Sequence, residues 1–370
     1  MTYINKIKSK YYTSIGSKTP KIVVIESDDW GTIRMSSKSA FNKLKSNGVN
    51  VDSNPFNKFD TLESNEDLAH LFELLDGFKD RKGNAPIITS NTIVANPDFE
   101  KIRQSDFTEY HYELFTDTLA TYPNRNDVKR LVDLGHEKRF FKAQFHGREH
   151  VNVKQWMRRL KEGDLNYLKA FDERVFGIED TQKKSIRGNF MAAFDFESNA
   201  DKMYVNQTIE DGLIIFKKLF GFSSDSIIAP AGVWHADSEK VMSENGVKYV
   251  QGFVIQNMPQ IGEKEYSKKF HFLGQTNSLN QKYLVRNCYF EPSTNQNFDW
   301  VSNCLKQIKV AFLFNKPAII SMHRINFVGG IDEKNRTESL SKFSELINKI
   351  LTYWPEVEFK SSDELGDLIS

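Results

Sequence analysis

Two histidines, His146 and His150, lie four positions apart in the stretch "HGREH", and histidines at this spacing could both bind one metal ion. Neutral imidazoles are common ligands of Zn²⁺ and related ions, and one helical turn between the two would bring both rings to one point. Paired histidines also occur in solvated loops and in protein cores, so this pair needs a third ligand before it indicates a metal site. Asp28 and Asp29 in "ESDDWG" are candidates, because two imidazoles and one carboxylate leave positions on a catalytic metal open.

The adjacent carboxylates of Asp28 and Asp29 would repel each other unless a cation, a proton or a basic partner compensates. A helix cap or an acidic turn explains such a pair equally well. A third polar cluster follows the apolar run "AIISMH", which ends in His323 and is followed by Arg324. A histidine at that point could be a general acid, another metal ligand or a structural hydrogen-bonding group.

Regular elements must position these clusters, and the sequence alternates apolar, β-branched runs with segments of helical period. This alternation predicts an α/β fold with a mainly parallel sheet or barrel, whose site lies at the carboxyl ends of the strands. The predicted strands are 21–27, 85–93, 139–146, 186–194, 226–231, 247–254, 282–290, 318–323 and 357–361. The predicted helices include 65–78, 152–163, 204–220, 299–314 and 339–354.

The whole chain, residues 1–370, is predicted to be a single domain, because no repeat, low-complexity tract or flexible linker divides it. Two polar segments, 97–125 and 255–281, are predicted insertions. In an α/β barrel such loops usually shape the substrate cleft.

Composition argues against several classes of protein. The chain has 50 basic and 49 acidic residues, so its net charge of +1 provides no overall field to attract nucleic acid or an anionic membrane. Two cysteines, Cys288 and Cys304, form neither a disulfide scaffold nor a cysteine-rich zinc site. The first 21 residues lack the apolar stretch of a secretory signal, and no segment is long enough to span a bilayer, which predicts a cytoplasmic protein.

Taken together and in this order, the three clusters resemble the motifs of the polysaccharide deacetylase superfamily, the carbohydrate esterase family four enzymes and their relatives. The resemblance covers about residues 21–367 and implies a distorted (β/α) barrel with mainly parallel strands. It implies that Asp28 is the catalytic base and that His323 is the general acid. It also implies that the metal ligands are Asp29, His146 and His150.

One motif departs from the family pattern, which indicates a divergent member. The family usually has an arginine two residues before a proline and an aromatic residue after it. In "SIIAPAGVWH" these two positions are Ile228 and Ala231. The arginine that would tune Asp28 is therefore missing from its usual place, and three residues could substitute for it: Arg187, Arg286 and Arg324.

The resemblance implies a hydrolase that removes N- or O-acetyl groups from a carbohydrate or a glycan precursor. Its cofactor would be a divalent ion, Zn²⁺ first and Co²⁺, Ni²⁺ or Mn²⁺ as alternatives, which activates water and polarises the acetyl carbonyl. A backbone N–H near Ala231 or Gly232 would stabilise the oxyanion. Further predicted contacts to the substrate are Trp30 and Trp234, since flat sugar faces stack on aromatic rings. Arg324 is also predicted to contact the substrate.

Two other classes stay open from the sequence. A metal-independent glycoside hydrolase would need two carboxylates about 5 to 10 Å apart, for example Asp28 and Asp195. A carbohydrate-binding protein that has kept the barrel and lost the chemistry would explain the missing motif arginine. Chelators would inhibit the deacetylase and leave the glycoside hydrolase active.

Overall fold

A computed structural model gives the fold and describes residues 21–178, 187 and 190–369. The first 20 residues, on which the prediction of a missing secretory signal depends, lie outside this range, as do three positions of the predicted strand 186–194. No described helix is both long enough and apolar enough to cross a bilayer.

A parallel sheet forms the centre of the described chain. Its strands are β1 (Ile22–Trp30), β2 (Ile88–Ile93), β5 (Phe141–Gly147), β6 (Ser226–Ile228), β7 (Tyr249–Gly252), β10 (Lys282–Val285), β11 (Cys288–Tyr289), β12 (Ala318–His323) and β13 (Glu358–Lys360). They lie in the order β10-β7-β6-β5-β2-β1-β12-β11, and β13 pairs with β1 as well. The predicted mainly parallel α/β fold is confirmed.

The two edges of this sheet are joined by only two residues. Because this link is so short, the edges lie close together and the sheet is curled into a distorted barrel. Strand β10 is one edge and β11 is the other, and Arg286 and Asn287 link them. The Arg286 N–H donates to the Gly252 carbonyl of β7 at 2.9 Å, and the Asn287 N–H donates to the Ile319 carbonyl of β12 at 3.2 Å. We call this two-residue link the seam. The predicted distorted (β/α) barrel is therefore confirmed.

Helices connect the strands and cover the sheet. They are α1 (Lys38–Ser46), α2 (Pro55–Phe59), α3 (Asn65–Asp76), α4 (Phe99–Gln104), α5 (Phe115–Thr121), α6 (Val128–Glu137), α7 (Val153–Lys161), α8 (Leu165–Asp172), α9 (Asn199–Phe220), α10 (Ala236–Glu244), α11 (Trp300–Leu313), α12 (Glu333–Tyr353) and α13 (Ser362–Leu368). Local sequence sets their ends: α3 begins at a capping box of Ser64 and Asp67, and α9 ends at Gly221 with φ +77°.

The side chains of β1 alternate between two apolar clusters. Val23 and Ile25 pack in one cluster with residues of α3, α11 and α12, whereas Ile22 and Val24 pack in the other with residues of β5, β7 and β10. Since side chains of a strand alternate in direction, Glu26 and Asp28 continue the face of Val24. The strand thereby carries two carboxylates into the carboxyl end of the barrel.

Several predicted boundaries need correction. Residues 190–194 form turns, so the described part of the predicted strand 186–194 is not a strand. The predicted strand 282–290 is two strands separated by the seam. The predicted strand 226–231 ends at Ile228, because a tight turn follows at Pro230–Gly232.

Small antiparallel pairs lie outside the main sheet. Strands β3 (Ala95–Pro97) and β4 (Tyr112–Leu114) pair within the predicted insertion 97–125 and its approach, and β8 (Ile255–Met258) pairs with β9 (Ser267–Phe270) in 255–281. The assignment of residues 1–370 to a single domain stays a prediction.

Candidate metal centre and active site

A bulge at the end of β1 turns its last two carboxylates in different directions. The pairing of β1 with β2 shifts register between Ser27 and Trp30, and Asp29 has φ +74°. This left-handed backbone conformation costs a non-glycine residue about 1–2 kcal/mol of free energy. Bulges of this kind often change the direction of side chains beside active sites. Gly31 follows with φ +80°, where a Cβ would lie 2.4 Å from the Ile93 carbonyl oxygen. Only glycine fits this turn without displacing β2.

Asp29, His146 and His150 converge at the carboxyl ends of β1 and β5. The Asp29 Oδ1 atom lies 3.3 Å from His146 Nε2 and 3.1 Å from His150 Nε2. One ligand atom from each residue lies within 4.8 Å of the others, and all three side chains are buried. The structure thus brings together the three residues that the sequence suggests as metal ligands.

These side chains fit a divalent metal ion. The Nδ1 atom of His146 donates to the Ile228 carbonyl at 2.8 Å, which leaves Nε2 of the neutral ring with its lone pair toward Asp29. Within the described residues, His146 Nε2 and Asp29 Oδ1 are buried and make no hydrogen bond. Buried polar atoms without partners are costly, and two imidazoles with one carboxylate form a common ligand set for Zn²⁺.

The electrostatic environment of this centre favours the protonation states in which these side chains can bind a metal ion. Burial alone would raise the pKa of Asp29, but His150 and His146 beside it hold that pKa well below its usual value. Burial lowers the pKa of His150 even though Asp29 opposes the shift. A carboxylate and a neutral imidazole are the forms that coordinate a cation.

Asp28 lies in a separate, fully satisfied cluster. Arg286 donates from Nη1 to Asp28 Oδ2 and from Nη2 to Asp28 Oδ1, each at 2.7 Å. Asn91 Nδ2 also donates to Asp28 Oδ1 at 2.7 Å. This is the two-pronged geometry in which a guanidinium binds a carboxylate most tightly.

The arginine partner of Asp28 is therefore Arg286, the residue at the seam. Arg187 instead contacts Asp195 and nearby main-chain carbonyls, including that of Gln260. Arg324 is bound by other carboxylates. The sequence left these three arginines as alternatives, and the structure brings only Arg286 to Asp28.

Arg286 also contacts a second buried carboxylate, Glu26, at 2.5 Å from Nε to Oε2. Burial raises the pKa of Glu26 despite the arginine, whereas Arg286 holds the pKa of Asp28 well below its usual range against the effect of burial. When two carboxylates share one cation, the environment decides which of them holds a proton. We infer that Glu26 takes the proton first and that Asp28 stays ionised.

His323 faces Asp28 across the cleft. Its Nε2 lies 3.8 Å from Asp28 Oδ2, and its Nδ1 lies 2.5 Å from Glu291 Oε1. Burial would lower the pKa of the ring, but Glu291, and after it Asp29 and Asp28, raise this pKa to about 10. The imidazolium form therefore dominates near neutral pH in the metal-free protein.

Replacing Glu291 by glutamine is expected to lower the pKa of His323 by about 1 to 3, the usual effect of losing a neighbouring opposite charge. Because the folded-state pKa is raised, imidazolium stabilises the fold below pH 6.5, and this contribution disappears as pH rises through about 10. The variant should therefore be less stable than the wild type at pH 7, and the difference should shrink above pH 10.

An NMR pH titration of the His323 ring in the metal-free protein tests this prediction. Glu356→Gln is the control, since that glutamate lies at the surface and pairs with Lys21. An unchanged His323 titration in Glu291→Gln would contradict the assignment.

A cleft of about 290 Å³ opens above these groups. Its wall includes Asp28, Asp29, His146, His150 and His323, together with Arg34, Asn54, Phe56, Met191, Ile228, Ala229, Ala231, Gly232 and Phe253. Phe56 packs edge-on against His323, with ring centroids 5.1 Å apart. Phe56 and Phe253 are thus the aromatic rings at the cleft, and no motif in the sequence pointed to them.

Three predicted substrate contacts need correction, because they lie in the core and do not line the cleft. Trp30 is 3% exposed and donates its Nε1–H to Ser27 at 3.0 Å, and Trp234 is 1% exposed and donates to Glu239 at 3.0 Å. Arg324 is fully buried. Their polar groups already have protein partners, so a sugar in the cleft would not reach them.

Ala231 and Gly232 do line the cleft, as expected for an oxyanion site. The turn that begins at Pro230 gives Ala231 φ +55°. The Gly232 N–H is committed to the Ala229 carbonyl at 2.9 Å, whereas no hydrogen bond of the Ala231 N–H is found among the described residues. Ala231 is therefore the better candidate of the two for a backbone donor.

The carboxylate pair of the glycoside hydrolase alternative is not brought together. Asp195 is buried against Arg187 and the Tyr266 hydroxyl, at 2.9 Å from each, and it does not line the cleft with Asp28. Its two carboxylate oxygens already accept hydrogen bonds from protein groups, so Asp195 is not positioned to act on a substrate at the metal centre.

The fold and the site define a distorted (β/α) barrel with a buried Asp-His-His set at the carboxyl ends of its strands. No family model matches the chain, and no curated protein matches it significantly.

Solved structures align with most of the chain. One assigned as a polysaccharide deacetylase, from Mycobacterium smegmatis, is 9% identical with a TM-score of 0.46, covering 96% of this chain and 93% of that one. The α-amylase AmyC from Thermotoga maritima is 8% identical with a TM-score of 0.46, and the alignment covers 95% of this chain and 75% of that one. A 4-α-glucanotransferase from Thermococcus litoralis is 10% identical with a TM-score of 0.44; 94% of this chain aligns, spanning 40% of that protein.

Polysaccharide deacetylases are thus among the proteins that this chain resembles in fold. Amylases and transferases acting on glucans appear beside them, at equally low identity.

Proposed function

We propose that the protein is a metal-dependent hydrolase that removes acetyl groups from a carbohydrate. The observation that carries this proposal is the buried convergence of Asp29, His146 and His150, with Asp28 and His323 beside it. Among the described residues, one buried nitrogen of each imidazole has no hydrogen-bond partner, and a glycoside hydrolase that works with two carboxylates and no metal would not need this arrangement.

In this proposal Asp29, His146 and His150 hold a divalent ion, with Zn²⁺ preferred and Co²⁺, Ni²⁺ or Mn²⁺ as alternatives. The ion would supply Lewis acidity toward the acetyl carbonyl and acidify a water molecule. Asp28, kept ionised by Arg286, takes the proton from the attacking water.

Two groups of the chain then complete the reaction. The Ala231 N–H donates to the oxyanion that develops on the acetyl carbonyl. His323, protonated because of Glu291, gives its proton to the departing amine or alkoxide of the sugar. Phe56 and Phe253 border the space in which the sugar ring would lie. The substrate would be a glycan or a glycan precursor, and the cytoplasmic location stays a prediction.

Elemental analysis of the purified protein tests the metal centre without any assumption about the substrate. We expect about one equivalent of a divalent metal per chain. We expect loss of that metal in Asp29→Ala and His146→Ala, because catalytic sites commonly hold the ion with only three protein ligands and each variant removes one of them. His235→Ala is the matched control, since His235 caps α10 and lies outside the Asp-His-His set.

If metal is bound, acetate release from acetylated sugars, with and without a chelator, tests the reaction. If the wild type binds no metal even after incubation with Zn²⁺, Co²⁺, Ni²⁺ or Mn²⁺, the proposed mechanism fails. A protein that binds metal and carbohydrate but releases no acetate would be a binding protein with an inactive centre.

A further inference from the structure

A second cavity, of about 790 Å³, opens beside the metal cleft and is larger than it. Five segments line it: 36–40, 61–66, 122–125, 172–174 and 329–336. Its volume falls within the range of about 300–1,000 Å³ that is usual for sites of small ligands. We call it the second cavity.

The loop after β1 separates the two spaces. Arg34 lines the metal cleft, Ser36 lines the second cavity, and Met35 between them is fully buried. Segment 329–336 lies in the chain just beyond the carboxyl end of β12, as the first segment does for β1. Both spaces are therefore built from loops at the same end of the barrel.

Charged groups of both signs line the second cavity. They are the guanidinium groups of Arg125, Arg174 and Arg336 and the carboxylates of Glu66, Asp172, Glu173 and Glu333. Arg125 is 8% exposed and donates to the main-chain carbonyls of Leu62 and Pro123, and within the described chain no carboxylate pairs with it. Most of the other charged groups are in ion pairs within the protein: Glu173 with Lys43, Asp172 with Arg103, Arg174 with Glu100, and Arg336 with Glu66 and Asp67. The cavity wall is therefore strongly polar, with charges that are largely balanced.

This mixture disfavours an anionic ligand. The amino-terminal ends of α1, α3 and α12 contribute to the wall, and helix ends of this kind attract anions. Here Glu66 and Glu333 lie in the first turns of α3 and α12 and offset the positive ends of those helices. Hydroxyl groups suit such a wall, because each can donate to a carboxylate and accept from a guanidinium.

An aromatic ring completes the wall. Tyr122 lines the second cavity, and the guanidinium carbon of Arg125 lies 5.5 Å from its ring centroid. We propose that the second cavity binds a neutral saccharide, separately from the metal cleft. The choice of a saccharide among polyhydroxylated ligands rests on the proposed function; the binding itself requires no metal.

Saturation-transfer difference NMR with four neutral tetrasaccharides tests the proposal. The probes are N-acetylchitotetraose, xylotetraose, maltotetraose and mannotetraose, each added to the wild type and to Asp29→Ala. We expect at least one probe to give signals of similar intensity with both proteins. The metal-site variant keeps the second cavity intact, so it separates this site from the metal cleft.

Two tryptophan variants on α1 locate the binding. Ser39 is exposed and lines the second cavity, so Ser39→Trp should obstruct the space and weaken the signals. Ser46→Trp is the matched control, because Ser46 is exposed near the other end of the same helix and does not line the cavity. Circular dichroism confirms that both variants fold.

Three results would overturn the proposal. The first is no signal from any of the four probes with the wild type. The second is a signal that keeps its full intensity in Ser39→Trp, which would place the sugar outside the second cavity, or a signal that disappears in Asp29→Ala, which would place it in the metal cleft. The third is displacement of the probe by inorganic phosphate at millimolar concentration, which would identify an anion site. None of these results depends on metal content. The proposed function is therefore tested separately from saccharide binding in the second cavity.

Discussion

The variant Asp28→Asn is expected to keep its bound metal and to lose about 10²- to 10⁴-fold in kcat, the usual contribution of a positioned proton-transfer group. Asparagine has the same shape and can still accept one hydrogen bond from Arg286, so the cluster stays packed. It cannot take a proton from water, because an amide is not a base at neutral pH. Metal content and kcat for acetate release, measured on the same preparation, give the test.

The neighbouring residue provides the control for this variant. Asp29→Asn changes the same functional group one position along β1, and we expect it to lose metal as well as activity, since Asp29 Oδ1 is the atom that faces both histidines. An Asp28→Asn protein that loses its metal would make Asp28 a ligand. One that keeps full activity would exclude it as the base.

Removing the cation beside Asp28 should have the largest effect on stability. In Arg286→Gln, the carboxylates of Glu26 and Asp28 would stay buried without their guanidinium, and breaking a buried ion pair on one side costs about 3–5 kcal/mol. The pKa of Asp28, now held low by Arg286, would rise toward neutral pH, so the variant should also have less ionised base and a lower kcat.

The sign of the pH dependence follows from that shift. A carboxylate with a depressed pKa stabilises the folded state above its unfolded pKa and loses this effect as pH falls. The wild type should therefore exceed Arg286→Gln in stability most strongly at neutral pH, and the difference should narrow in acid as the freed carboxylates become protonated. Urea unfolding at pH 7 and pH 5 measures the difference.

Arg324→Gln is a matched control, because Arg324 is equally buried between two carboxylates, Asp60 and Glu63. It should destabilise the protein by a similar amount without changing the pH dependence of the reaction. Arg286→Lys keeps a charge and should recover stability in part if the glutamine variant does not fold. An Arg286→Gln protein with unchanged stability and kcat would contradict the role of the arginine.

The sequence predicted the parts of the molecule that depend on local pattern. The run 318–323 is a strand with the predicted boundaries, and the polar residues at the carboxyl ends of β1, β5 and β12 do meet at one end of the barrel. Parallel strands bring their carboxyl ends to the same edge, so the residues alone were sufficient to associate Asp28 or Asp29 with His146 and His150. The family resemblance then implied Asp29.

The sequence did not predict which side chains face the cleft. Trp30 and Trp234 follow strands as a sugar-stacking residue would, but both turn into the core, where Ser27 and Glu239 accept their indole N–H groups. Residue type alone does not give this direction. Phe56 and Phe253 lie in segments without a motif, and the sequence contained no signal for them.

The partner of Asp28 could have been suggested by one anomaly. The apolar run "KYLVRNCYF" is interrupted by Arg286 and Asn287, and a charge inside a buried strand needs an opposite charge. Its carboxylate partners lie about 260 positions earlier in the chain, so only the closed barrel reveals them. Glu291, the partner of His323, follows the same run and becomes recognisable for the same reason.

The seam between β10 and β11 has a consequence for how the protein would lose activity. Elsewhere the barrel is continued by strand pairing, but here two residues span the gap, and one of them is Arg286, which binds Asp28, the proposed base. Local opening of a fold needs less free energy than complete unfolding. Parting of β10 from β11 would withdraw the guanidinium from Asp28 while the ligands on β1 and β5 stayed in place. If the proposed mechanism holds, mild heat or denaturant would produce a protein that keeps its metal-binding residues in place and its overall shape but no longer has an ordered base.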